Sequence, residues 1–288
     1  MSTALATSSP LMTQRSLLRQ LALIHAKRFA LHPVFLAGLA LLIVVECAVL
    51  NDTQTYQAVS GNVAAAVSLG YVGLLVSYRL TRNEEAAIAL LPSAPVSSTT
   101  RTLALVAACA VPAAVATIWA TVQLAVWTVN PLERDVVDAL GWPNIVAIAI
   151  AGSTVACFGG PVLGVVVARW TVFPGAGVLA AAVVLLITGF GLGIATTTSG
   201  ILGTTPTHWL ANSLPWTMWE LDSGGGTFGG VRPGLPMGHL VYVIGLCGLG
   251  VAAAVLKDAE GGERTAWVRR GAILGALAVV GALVTGPW

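Results

Sequence analysis

The sequence predicts an all-α membrane protein. It reads as six to seven transmembrane helices, an N-terminal amphipathic interfacial helix and a re-entrant hairpin on the outer side. Three observations carry this prediction. Only 9% of the 288 residues are charged and 56% are hydrophobic, with a mean hydropathy of +0.86, whereas soluble domains carry about 25% charge. The apolar residues form long runs without two-residue alternation, and lipid admits only helices and closed barrels as spanning structures. Lys and Arg gather on one side of those runs, as they do in cytosolic loops. The same figures exclude a soluble globular domain and a disordered chain. A net charge of +2 offers no basic surface for nucleic acid. Four cysteines do not make a disulfide scaffold.

In chain order, residues 1–10 are rich in Ser, Thr and Ala, and the first apolar run begins at Val34 with no small-residue cleavage site after it. No secretory signal peptide is read here. Residues 13–31 set Arg15, Arg19, Lys27 and Arg28 against Leu17, Leu21, Ile24 and Leu31. That pattern predicts a basic amphipathic helix on the inner membrane surface, an anchor to anionic lipid with or without a cytosolic partner. Pro33 marks the turn into the first span. Spans are expected at 34–50, 60–78, 103–129, 144–168, 175–195, 239–256 and 271–287, each near the ~17–25 residues a bilayer requires.

With the N-terminus in the cytosol, twelve Lys and Arg fall inside and only Arg134 and Arg232 outside. The seventh span is the weakest in pattern. If it re-enters, both termini lie inside. The chain thus divides into a tail and interfacial helix (1–33), a six-span domain (34–256) and a C-terminal loop with an additional span (257–288).

Two connecting segments hold more than a turn. The cytosolic loop 79–102 carries Thr81 and Glu84 at capping-box spacing. Glu84 and Glu85 then fall in a first turn, where the helix dipole favours acids. Pro92 and Pro95 stop the helix, and Ser97 or Ser98 can cap the next span. A self-contained helix of about two turns is expected, presenting Ile88, Leu90 and Leu91. It either lies on the membrane or plugs a cleft of another subunit. The outer segment 196–238 holds Trp209, Trp216 and Trp219 within eleven residues, an interfacial belt pattern. Half-buried outer helices followed by a Gly-rich loop at 223–230 are expected there.

The motifs that carry chemistry are mostly missing. A phosphate-cradling loop needs a lysine after glycines, and the two lysines, Lys27 and Lys257, do not follow such a turn. The glycines of 189–193 and the pairs Gly160/Gly164 and Gly271/Gly275 read as close helix packing. The histidines show no metal-ligand spacing, and the cysteines read as small hydrophobes. Glu84–Glu85 do not make an EExxxR protease motif, because Ala89 stands in the last position. No GxSxG motif occurs. Glu46 is the one ionisable residue well inside a span. A charge at the bilayer centre costs about 2.5–3.5 kcal/mol on insertion scales. With four residues between it and Asn51, Glu46 either hydrogen-bonds near the outer surface or handles substrate or protons.

The order of these parts resembles the type-2 ABC exporter permease family: a basic amphipathic helix, a first hairpin, then a cytosolic helix ending in ALLPSAPVSS. Arg82 and Glu84 stand at the family's charged positions, and Leu90, Leu91, Pro95, Val96 and Ser97 match in order. Ala89 and Ala94 depart from the family's acid and Ser/Thr. Pro215-Trp216 fits the family's broken outer hairpin. The likeness covers 15–256 by layout and about 16 residues by motif.

The resemblance implies a half-transporter. It pairs with a second copy or a paralogue in the lipid bilayer and binds a separate cytosolic ATPase subunit, which holds the ATP and Mg. This chain itself carries no cofactor and no catalytic residue. Arg82, Glu84, Glu85, Ile88, Leu90, Leu91, Pro95 and Val96 would engage the ATPase, braced by the N-terminal helix. Glu46, Trp209 and Trp216 would border the path of an amphipathic drug, peptide or lipid-like substrate out of the cell. The alternatives are a membrane scaffold that recruits a cytosolic partner, or an ion-coupled carrier using Glu46. No internal repeat of the carrier kind is read.

Overall fold

The computed structural model describes residues 14–50, 62–90, 96–129, 137–138, 141–197 and 235–285. Among these residues every regular element is a helix. Helices α1 (Gln14–Ala30) and α2 (Pro33–Leu50) meet at a sharp joint. A short turn Asn62–Ala65 and a π-helical turn Ala66–Tyr71 lead into α3 (Val72–Leu90). Helices α4 (Ser98–Ala108) and α5 (Ala110–Val129) run almost end to end. Helix α6 (Trp142–Ala149) passes through a second π turn, Ile150–Val155, into α7 (Ala156–Trp170). Helices α8 (Ala176–Thr197), α9 (Pro236–Leu256) and α10 (Gly261–Thr285) complete the order.

Four stretches are long and apolar enough to cross a membrane: Ser98–Val129, Trp142–Trp170, Pro236–Leu256 and Gly261–Thr285. The bent pair α1–α2, angled by 59°, makes a fifth if counted as one broken span. The protein is therefore an all-helical membrane protein. These stretches contain the spans expected at 103–129, 144–168 and 239–256, and residues 271–285 of the one expected at 271–287.

The centre is the crossing of α3 and α7. Gly160 lies against the carbonyl of Gly70, and Gly164 lies against the carbonyl of Leu74 and the hydroxyl of Ser77. Ser77 Oγ donates across the interface to the Pro161 carbonyl at 2.7 Å. Small residues let the backbones meet here, as membrane helix pairs require. Gly271 and Gly275, by contrast, have ordinary spacing. The close approaches in the antiparallel α9–α10 hairpin are made by Gly238, Gly245 and Gly281. Helix α2 is held by one stripe of Phe35, Gly38 and Leu42, while Leu36, Leu41, Ile43 and Val44 face outward.

Two expectations change. The helix expected to start at Thr81 is not self-contained, because α3 runs unbroken to Leu90. The Thr81 hydroxyl donates to the Ser77 carbonyl one turn back, so no capping box forms. Nothing between Leu74 and Leu90 breaks a helix, and burial of Ser77, Tyr78 and Thr81 carries it onward. Helix α1 packs along α4 and buries His25 and Phe29. Ile24 and Leu31, assigned to its apolar face, point outward. The seventh stretch, the weakest in pattern, is a continuous 25-residue helix, α10, long and apolar enough to cross a membrane. One expectation holds locally: Ser97 caps α4, its side chain accepting from the Thr100 N–H at 3.2 Å.

The α1–α2 joint carries a titratable cap. His32 Nδ1 accepts from the Val34 N–H at 3.3 Å, which requires the neutral ring. Partial burial, then the charge of Arg79, lowers its pKa from the usual 6.5. The unfolded chain therefore binds the proton first as pH falls, and the joint loses stability below about pH 6.5. The unfolding temperature in detergent should drop between pH 7 and 5. In His32→Asn that drop should be smaller, and an identical drop in the two would remove His32 as its source.

Candidate functional site

The charged end of the bundle encloses a cavity of about 440 Å³. Helix α3 contributes Thr81, Glu84, Glu85 and Ile88, and α4 contributes Ser98, Arg101 and Leu105. Arg169 comes from the end of α7; Lys257, Asp258 and Glu260 come from the α9–α10 turn. Four acids thus face three bases. The Nε atoms of Arg101 and Arg169 are buried without hydrogen-bond partners among the described residues.

The tip of α3 is tied on two sides. On one, His25 Nε2 of α1 lies 2.9 Å from Glu84 Oε2, with side chains only 5% and 14% exposed. On the other, Arg82 donates to the carbonyls of Thr171 and Val172 and pairs with Glu85 at 3.2 Å. One turn earlier, the Tyr78 hydroxyl donates toward the carbonyls of Phe173 and Pro174, both at 3.0 Å. The α7–α8 link is thereby strapped to α3. Across the cavity, Arg169 pairs with Asp258. Trp170 Nε1 donates to the Ala253 carbonyl, and its ring lies 5.4 Å from Lys257 Nζ. A displacement of the α3 tip must therefore move α1 and the α7–α8 link together. Among the described residues no group of three or more His, Cys, Asp or Glu is arranged to hold a metal.

Of the residues singled out in the sequence, Glu84, Glu85 and Ile88 line this cavity, and Arg82 stands beside it. The Val96 carbonyl accepts from Arg101. Leu90 ends α3, whereas Leu91, Pro95, Trp209 and Trp216 lie outside the described residues. Arg15, Arg19, Lys27 and Arg28 are exposed on α1 and do not enter the cavity. Glu46 is remote from it, buried between α2 and α5 with Gln123 Nε2 at 3.4 Å.

Sequence reasoning missed His25, Arg101, Arg169 and Asp258 as site residues. The first two could have been suspected as polar groups on helix faces that become buried. The Arg169–Asp258 pairing leaves no local trace.

No protein-family model matches the chain, and neither a curated protein nor a solved structure does.

Proposed function

We propose that this chain is the permease subunit of an ATP-driven exporter that moves an amphipathic substrate out of the cytoplasm or inner leaflet. It has six spans plus a seventh formed by α10, with the N-terminus in the cytosol. Two such chains, or this chain and a paralogue, form the membrane part. A separate ATPase subunit binds the α3 tip from the cytosol and supplies ATP and Mg. The observation that carries the reading is the His25–Glu84 contact. It braces the N-terminal helix against the segment whose sequence resembles the family's coupling helix.

The test is affinity purification from native membranes in mild detergent, with mass spectrometry. A stoichiometric ATPase should co-purify, and it should be lost when Leu90 and Leu91 are both replaced by Asp, while the variant still inserts. A folded preparation without an ATPase would sink the proposal. The burial of Glu46 favours an ion-coupled carrier as the second reading. That reading requires transport driven by an ion gradient and independent of nucleotide.

A further inference from the structure

We propose that Glu46, Gln123 and Trp119 form a binding site for the primary ammonium head of a cationic amphiphile. The claim that this amphiphile is the cargo rests on the exporter reading, whereas the binding claim concerns this chain alone.

Glu46 ends the stripe of Phe35, Gly38 and Leu42 that holds α2 to the bundle, and its side chain is 1% exposed. Opposite stands Gln123, 7% exposed, with Trp119 one turn earlier on the same α5 face. Gln123 Nε2 reaches Glu46 Oε2 only at 3.4 Å, and the Trp119 indole lies within reach of the same carboxylate. Two buried acceptors, Glu46 Oε1 and Gln123 Oε1, have no hydrogen-bond partner among the described residues. Buried polar atoms are almost always satisfied, and in lipid water is scarce. Two such acceptors on adjoining side chains are open to a group that donates hydrogen bonds.

The chemistry of these acceptors selects the ligand. Among the described residues no cation pairs with Glu46. Two unused acceptors, one on a carboxylate, call for a cation that donates hydrogen bonds. An ammonium group brings three N–H donors, and the indole supplies an aromatic neighbour of the kind cations prefer. Calcium would require six or more oxygens, and Glu46 and Gln123 offer three. Ile43, one turn before Glu46, and Val44 are exposed on α2. An alkyl tail can lie along them while the head reaches the carboxylate.

The full chain in phosphatidylcholine nanodiscs should bind radiolabelled dodecylammonium saturably at pH 7, above the level of empty discs. Dodecanol should not compete. Glu46→Gln, which keeps shape and removes charge, should weaken binding at least tenfold. Gln123→Leu should weaken it less. Circular dichroism and size exclusion would confirm that both variants are folded. Wild-type affinity in a folded Glu46→Gln variant, or no saturable component in the wild type, would overturn the proposal. The assay contains no ATPase, so its result is independent of whether an ATPase partner is recovered.

Discussion

Gly164→Leu should yield no folded, monodisperse protein, while Gly275→Ala should behave as the wild type. A Cβ on Gly164 would lie well under 3.0 Å from the Leu74 carbonyl oxygen and from Ser77 Oγ. The carbonyl belongs to helix backbone and cannot turn away. The hydroxyl is already committed to Pro161. Overpacking a core typically costs about 1–3 kcal/mol, and here the whole side chain must displace one helix from another. Loss of the α3–α7 crossing also releases the strap from Tyr78 and Arg82 to the α7–α8 link. At Gly275 the nearest atom to an added Cβ is the end of the Leu249 side chain, at 3.7 Å, which is ordinary contact. Size-exclusion profiles and thermal unfolding of the two variants check this. Equal behaviour would mean that the α3–α7 approach does not hold the bundle.

The second large effect is expected at the α1–α3 brace. His25→Ala removes one member of a mostly buried pair and leaves the Glu84 carboxylate without it. Leaving a buried polar group without its neighbour costs about 1–3 kcal/mol, and the 14% exposure of Glu84 puts the expectation at the lower end. The loss is local, because α1 is held mainly along α4 and buries only His25 and Phe29 fully. Trypsin should therefore cut after Lys27 and Arg28 at least tenfold faster in His25→Ala than in the wild type. Global unfolding should shift less. Unchanged cleavage would show that the contact does not brace α1. If the exporter reading holds, the same variant should also uncouple ATPase activity from transport.

The two sites differ in how far the chain announces them. Glu46 stands out because a carboxylate inside an apolar run is expensive wherever it lands. Its neighbours Trp119 and Gln123 do not stand out, since a Trp and a Gln within a span read as belt and packing residues. Glu84 and Glu85 drew attention as first-turn acids of a short helix. The structure keeps them at one end of α3 but gives them other work, on His25 and Arg82. The capping-box reading failed because spacing alone cannot say whether the preceding helix has ended. Thr81 satisfies its hydroxyl equally well inside a continuous helix.

Composition and apolar run length by themselves determined that this protein is helical and membrane-embedded, because lipid forbids unsatisfied backbone. Local pattern determined the Ser97 cap and the proximity of α1 to its basic residues, since both depend on neighbours within a few positions. Only the tertiary structure decided that α3 continues to Leu90 and that α1 packs on α4. The same holds for Gly160/Gly164, which take the close crossing while Gly271/Gly275 do not. The contacts that build the charged cavity and the Glu46 site join residues 59 to 89 positions apart, His25 to Glu84, Glu46 to Gln123 and Arg169 to Asp258. Pairings at that separation depend on how helices cross in three dimensions, and a helical period of 3.6 residues carries no record of it.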